Sequence, residues 1–143
     1  MPKHIRIYTD GGARGNPGPA GAGAAIHAMH EDGSEGETIA TVADYLGKTT
    51  NNQAEYMAIV RGLEKAKKLG AETVEMVMDS ELAVKQLNGE YRVRNPDLAK
   101  RFMEVYNLRQ QFKKVTFRHI RREKNTEADG LVNEAIDKAL GKT

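Results

Sequence analysis

Cysteine is absent from the sequence, which excludes a disulfide scaffold, a thiolate nucleophile and a cysteine-bound zinc site together. Long apolar runs are missing as well. The longest stretch free of acidic, basic and histidine side chains, Gly15 to Ile26, is built of small residues and falls far short of a bilayer span. No signal peptide is expected, because Met1 to Thr9 already alternates as a strand does, and the expected location is the cytoplasm. Aromatic residues are scarce at 6%, yet 39% of the chain is apolar and 29% charged. That mix is patterned enough to fold, and 143 residues suffice to close a single core.

A net charge of only +2 excludes a protein that binds nucleic acid through overall positive charge. The distribution is less even. Between Lys100 and Lys124 stand Lys100, Arg101, Arg109, Lys113, Lys114, Arg118, Arg121, Arg122 and Lys124, with only Glu104 and Glu123 as local counterweights. A solvated surface accounts for such a stretch by itself, and a phosphate-facing edge needs support from elsewhere in the chain.

The periodicity predicts an α/β fold. Ile5, Ile7 and Thr9 alternate with His4, Arg6 and Tyr8 in a first strand that reaches Asp10 and is expected to break at Gly11-Gly12. Residues Ala20 to Ala28 and Glu37 to Leu46 read as two further strands of an antiparallel meander. Asn51 or Asn52 is expected to cap a helix that runs to about Leu69 with Ala54, Met57, Ala58, Leu63 and Ala66 on its apolar side. A strand from Thr73 to Met78 precedes Asp79, and a helix follows from Ser80 to Leu87. Asn95-Pro96-Asp97 opens another helix, Val115, Phe117 and His119 alternate in a last strand, and a terminal helix begins at Asn125 or Thr126. Three strands followed by alternating helices and strands imply a mixed sheet with helices packed on it.

Two strands thus deliver a carboxylate at their carboxyl ends, Asp10 and Asp79. In open α/β sheets ligands gather at that end. If the two strands are parallel neighbours, like charges lie a strand spacing apart and call for a cation or a shared proton. Hard oxygen ligands suit Mg²⁺ and Mn²⁺. Either aspartate alone is equally well explained as a helix cap. Glu55, near the start of its helix and on the face of Ala58 and Ile59, and Asp129, beside the apolar face of the terminal helix, add two more acids. Four carboxylates converging from separate elements are the donor set of a two-metal site for in-line phosphoryl transfer.

With these residues in view, the sequence resembles type 1 ribonuclease H from Ile5 to about Leu140. The resemblance rests on Tyr8-Thr9-Asp10-Gly11-Gly12, Gly15-Asn16-Pro17-Gly18-Pro19-Ala20-Gly21, Thr49-Thr50-Asn51-Asn52-Gln53-Ala54-Glu55, Met78-Asp79-Ser80 and Asn125-Thr126-Glu127-Ala128-Asp129. It implies that residues 1–143 are a single ribonuclease H domain, monomeric, with a five-stranded mixed sheet of three antiparallel and two parallel strands flanked by helices. It implies that Asp10, Glu55, Asp79 and Asp129 are both the catalytic and the metal-binding set for two Mg²⁺ ions, with Mn²⁺ as an alternative. Asp10 would bridge the ions, Glu55 and Asp79 would serve the leaving-group side, and Asp129 the side of the attacking water. The family hydrolyses the RNA strand of RNA/DNA hybrids to 5′-phosphate and 3′-hydroxyl ends. Asn16, Asn51 and Gln53 resemble residues that meet the hybrid in its minor groove, and Thr50 a residue that grips a DNA-strand phosphate. Arg121 and Arg122 are the candidate phosphate contacts of the basic stretch.

Departures from the family pattern are informative. The loop histidine that many members carry before the last helix is missing, since His119 falls within the strand alternation and Arg121-Arg122-Glu123-Lys124 leads directly to Asn125. Arg122 or Glu123 is the candidate replacement. The segment Leu87 to Pro96 is too short for the basic handle of some members and holds only Arg92 and Arg94, and no amino-terminal hybrid-binding domain is expected. Binding is therefore expected to lean on the Lys100–Lys124 charges. Glu81 stands where some relatives have glutamine. Double-stranded RNA offers a similar minor groove, so a broader ribonuclease remains an alternative, as does a non-catalytic hybrid-binding module. Gly47-Lys48-Thr49 does not complete a phosphate loop, because Val42 stands at the required glycine. Gly21 and Gly23 read instead as places where a ligand or a neighbouring backbone comes close.

Overall fold

The computed structural model describes residues 2–142. Its elements are β1 (His4–Ala13), β2 (Gly18–Met29), β3 (Glu35–Thr49), α1 (Asn51–Lys68), β4 (Thr73–Met78), α2 (Glu81–Leu87), α3 (Pro96–Arg109), β5 (Lys114–His119) and α4 (Thr126–Ala139). A single 3-10 turn, Arg122–Lys124, joins β5 to α4. The five strands form one sheet in the order β3-β2-β1-β4-β5. β1 pairs antiparallel with β2 and β2 with β3, whereas β4 lies parallel to both β1 and β5. This is the mixed sheet expected from the sequence.

The register explains why two acids meet. Thr9 is opposite Met78 in the parallel β1–β4 pair, so the next residues, Asp10 and Asp79, emerge side by side at the same end of the sheet. The apolar residues of β1 and β4 face a core that also takes Tyr56, Ile59 and Leu63 of α1, Ala83, Val84 and Leu87 of α2, and Leu98 and Val105 of α3. Helix α4 covers the other face with Ala128, Val132, Ala135 and Ile136, all buried.

β2 is buried on both faces, and its sequence, GPAGAGAAIHAM, suits that place. Alanine and glycine let a helix approach from each side. A Cβ added at Gly11 of β1 would lie 2.2 Å from the backbone of Ala54, so only glycine admits α1 there. On the opposite face a Cβ at Gly23 would lie 2.5 Å from the carbonyl oxygen of Ala128, which fixes the closeness of α4. The close-approach reading of Gly23 therefore holds, and the approaching group is helix backbone.

Several boundaries differ from the sequence expectation. β1 does not break at Gly11-Gly12 but stays paired to β2 through Ala13. Ladder hydrogen bonds need no side chain, and these glycines serve spacing rather than turning. Helix α1 is capped by neither Asn51 nor Asn52. Thr50 is the cap, its hydroxyl accepting from the backbone N–H of Gln53 at 3.2 Å. The Asn51 side chain is engaged elsewhere, its Oδ1 accepting from the N–H of Ala13 at 2.8 Å. His27 is placed between the sheet and the last helix. It fastens α4 to the sheet, with Nε2 2.7 Å from Glu127 and Nδ1 3.0 Å from the carbonyl of Gly36.

The Gly11 contact gives a clean test. Gly11→Ala should cost about 3 kcal/mol or more in chemical denaturation, because backbone rather than a movable side chain blocks the new methyl. Gly12→Ala, whose Cβ would meet only a Val132 methyl at 3.8 Å, should be near neutral in the same measurement.

Candidate active site

The four acids are brought to one place by four different elements. Asp10 rides on β1 and Asp79 follows β4. Glu55 is carried beside them by α1, whose approach Gly11 permits, and it lies just beyond the first helical turn. Asp129 comes from the first turn of α4, whose distance Gly23 sets. Together they line a cleft of about 520 Å³ that also includes Asn16, Asn51 and Asn52.

The cleft is strongly acidic and largely uncompensated. Burial, followed by the charges of Asp79 and Asp129, pushes the Asp10 carboxyl up to about 8 from its ordinary 3.8. Burial also raises Glu55, against the pull of the Ser80 hydroxyl and with the Asp79 charge adding to the push. Among the described residues none of the four acids belongs to an ion pair. Two arginines line the cleft. Arg14 is committed to Asp137 at 2.6 Å and to Asn133 at 3.3 Å. Arg122 makes no ion pair among the described residues and acts on Glu55 through its charge.

Asn125 was expected only as the start of the last helix, and its side chain does something else. It is 1% exposed and makes no capping bond. Its Nδ2 donates to the carbonyl of Thr9 at 2.9 Å and to Asp79 Oδ2 at 3.0 Å. Its backbone carbonyl accepts from the N–H of Asp129 at 3.1 Å, in the first turn of α4. The side-chain amide thus ties the start of the helix that bears Asp129 to the strand ends that bear Asp10 and Asp79. Its Oδ1 is buried without a partner, an expense tolerated because the two donated bonds hold the site. No local pattern signals this role, since both acceptors lie far away in the chain.

The donor set fits divalent metal. It consists of hard carboxylate oxygens in a partly buried, uncompensated cluster. Among the described residues no three His, Asp or Glu side chains close on a single point to make a finished cage. Magnesium does not require one, because it keeps several waters and is held through one or two carboxylates plus substrate phosphate.

The other predicted residues separate into groups. Asn16 and Asn51 face the carboxylate cleft. Thr50 and Gln53 do not. They line a neighbouring cleft of about 550 Å³ with Asn16, Asn95, Lys100 and Arg101. Asn52, which sequence reasoning passed over in favour of Gln53, is exposed and lines both clefts. Its place in the first turn of a helix beside Asn51 was the available signal. Arg122 lines the carboxylate cleft, whereas Arg121 lies outside both clefts, its side chain 81% exposed. His119 ends β5, as the alternation implied. Two cations of the basic stretch are paired with acids distant in sequence. Lys113 pairs with Glu72 at 2.6 Å and Arg118 with Glu75 at 3.0 Å. The cations that reach the clefts are Lys100, Arg101 and Arg122.

A β3-β2-β1-β4-β5 sheet with a carboxylate cleft at the ends of β1 and β4 defines an α/β protein of the ribonuclease H-like class. A family model described as reverse transcriptase-like matches residues 8–135. The chain is 32% identical to a ribonuclease H of Pseudomonas fluorescens, covering 99% of this chain and 97% of that one. It is 48% identical to the RNase H1 isolated from compost and solved with an RNA/DNA hybrid, with a TM-score of 0.85 and coverage of 95% and 99%. A bifunctional protein of Mycobacterium tuberculosis is 41% identical over 94% of this chain, and the chain spans 36% of that relative's length. The matching part is solved as its N-terminal RNase H domain, with a TM-score of 0.85. The chain belongs to the ribonuclease H family, in its type 1 form.

The raised Asp10 carboxyl makes stability depend on pH. Between 3.8 and about 8 the folded protein holds a proton that the unfolded chain has released, so stability of the metal-free protein should fall as pH rises across this window. Asp10→Asn should flatten that slope and raise the melting temperature by several degrees at pH 8. Thermal melts in chelator from pH 4 to 9 measure both effects.

Proposed function

We propose that this chain is a metal-dependent endoribonuclease that hydrolyses the RNA strand of RNA/DNA hybrids, leaving 5′-phosphate and 3′-hydroxyl ends. The observation that carries this reading is the uncompensated cluster of Asp10, Glu55, Asp79 and Asp129 in one cleft. The compost relative's complex with an RNA/DNA hybrid supports the substrate class, and the match to the N-terminal RNase H domain supports reading residues 1–143 as one such domain. Such an enzyme would work in the cytoplasm, the location expected from the sequence.

The four carboxylates would hold two Mg²⁺ or Mn²⁺ ions. Bound there, the ions supply a more acidic water and neutralise charge that develops on the transferring phosphate. Asp10 must release its proton for the site to load, so metal uptake is coupled to proton release. Asn125 holds Asp79 in place beside β1. Arg122 lines the cleft without an ion pair among the described residues and is positioned to meet a backbone phosphate, in the region where other members carry the loop histidine. Asn16, Asn51 and Asn52 present amides to the groove of the hybrid next to the scissile position. Thr50 and Lys100 in the neighbouring cleft suit a phosphate of the uncut strand.

The decisive measurement is cleavage of an end-labelled RNA/DNA hybrid, with double-stranded RNA and DNA as controls, in Mg²⁺, Mn²⁺ and chelator. Metal-dependent cutting of the hybrid's RNA strand is expected, and Asp10→Asn or Asp79→Asn should reduce it to the chelated background. Cutting that survives in either variant would overturn the metal assignment. For binding, Arg122→Ala should weaken hybrid affinity and lower the salt slope by about one, as loss of one phosphate contact does. Arg121→Ala, outside the cleft, should leave that slope unchanged.

A further inference from the structure

The amides facing the two clefts are not free at both ends. Asn16 Oδ1 accepts from the backbone N–H of Asn51 at 3.1 Å. Asn51 Oδ1 accepts from the N–H of Ala13 at 2.8 Å. Gln53 Oε1 accepts from Arg101 Nε at 3.3 Å. In each case the carbonyl end of the side chain is committed within the protein. The NH₂ end makes no hydrogen bond among the described residues. An amide is ordinarily ambiguous, offering a donor and an acceptor that exchange on a half-turn. Here the partners are backbone N–H groups and a guanidinium, which have no acceptor to offer, so the half-turn is closed to all three.

We propose that Arg101 is a positioning residue, which locks the Gln53 amide with its NH₂ end outward as backbone N–H groups lock Asn16 and Asn51. The proposal rests on the hybrid reading above and deepens it. A surface that offers only N–H donors seeks acceptors. The minor-groove edge of every base pair carries them, at purine N3 and pyrimidine O2, and the sugar oxygens add more. Donor-locked amides therefore grip any sequence about equally well, as an enzyme acting on hybrids of arbitrary sequence requires. Asn52 has neither end of its amide committed among the described residues, and so remains able to accept from a 2′-hydroxyl.

Arg101 is suited to the task because it is held on both sides. Its Nη1 pairs with Glu104 one turn further along α3, and its Nε reaches across to α1. The contact links the two helices that form the walls of the second cleft. Arg101 also lines that cleft, so direct contact with a phosphate is the competing role, and the two roles make different predictions.

Hybrid binding is measured by fluorescence anisotropy in chelator, so that the duplex stays uncut, for the full chain and for Arg101→Met, Gln53→Met, the double variant and Arg101→Lys. Locking predicts that each methionine variant weakens binding about three- to tenfold, the worth of one hydrogen bond. The double variant should be no weaker than Gln53→Met alone, Arg101→Lys should recover most of the loss, and the salt slope should not change. Additive losses, or a slope shallower by about one in Arg101→Met, would make Arg101 a phosphate contact and overturn the proposal. So would unaltered binding in Arg101→Met. A second readout needs no nucleic acid: nuclear magnetic relaxation of the Gln53 side-chain NH₂ should show it rigid in the parent and mobile in Arg101→Met. If the parent protein fails to bind hybrid, the functional reading falls, while the relaxation data still decide whether Arg101 locks Gln53. Equal mobility in both proteins would end the locking proposal on its own.

Discussion

Like charges do not gather of their own accord, and four carboxylates share one cleft here only because the rest of the molecule holds them against their repulsion. Asp10 shows the strain most directly, retaining its proton up to about 8. The work is done by contacts away from the acids themselves. Parallel pairing sets Asp10 beside Asp79. Backbone contact at Gly11 delivers Glu55 from one face of the sheet, and backbone contact at Gly23 delivers Asp129 from the other. Asn125 then ties three of the four carriers by hydrogen bonds rather than by charge, so it adds no repulsion of its own. Stability is given up locally so that a cation is attracted, the trade usual at sites that must bind and release a charged partner.

The same economy governs the first turn of α1. Because Thr50 takes the cap, Asn51 is left to reach 38 residues back along the chain to the N–H of Ala13 and to steady the end of β1 beside Asp10. Asn16, from the turn after β1, closes the arrangement by accepting from Asn51. The helix start, the strand end and the turn are therefore one hydrogen-bonded unit. Its free groups are the donors that face the clefts. On the outer surface, Glu72 just before β4 and Glu75 within it pair with Lys113 and Arg118 at β5. Lys100, Arg101 and Arg122 of the basic stretch line the clefts.

Local signals in the chain carried most of this architecture. The alternation of β1, the start of α3 at Asn95-Pro96 and the aspartates ending β1 and β4 all depend on neighbours within a few residues, and they were legible. So was the set of four acids, through its motifs. What was not legible depends on partners far apart. The continuation of β1 through Gly11-Gly12 needs β2 beside it. The roles of Asn51 and Asn125 need acceptors or donors dozens of residues away. The basic stretch looked unopposed because Glu72 and Glu75 lie dozens of residues away, just before β4 and within it. Gln53 came from the family resemblance, which did not point to Asn52, although Asn52 stands between the two clefts and lines both.

The composition of β2 carries a further consequence, in its freedom rather than its size. Alanine and glycine have no rotamers to lose, so ordering the middle of the sheet costs backbone entropy alone. By the same token there is nothing there to repack. A core of leucines can absorb a displaced helix by changing side-chain torsions, but a strand without torsions transmits the displacement whole. The separation between α1 and α4, and with it the spacing of Glu55 and Asp129 across the cleft, is therefore set by the thickness of a peptide backbone, a quantity that thermal motion scarcely alters.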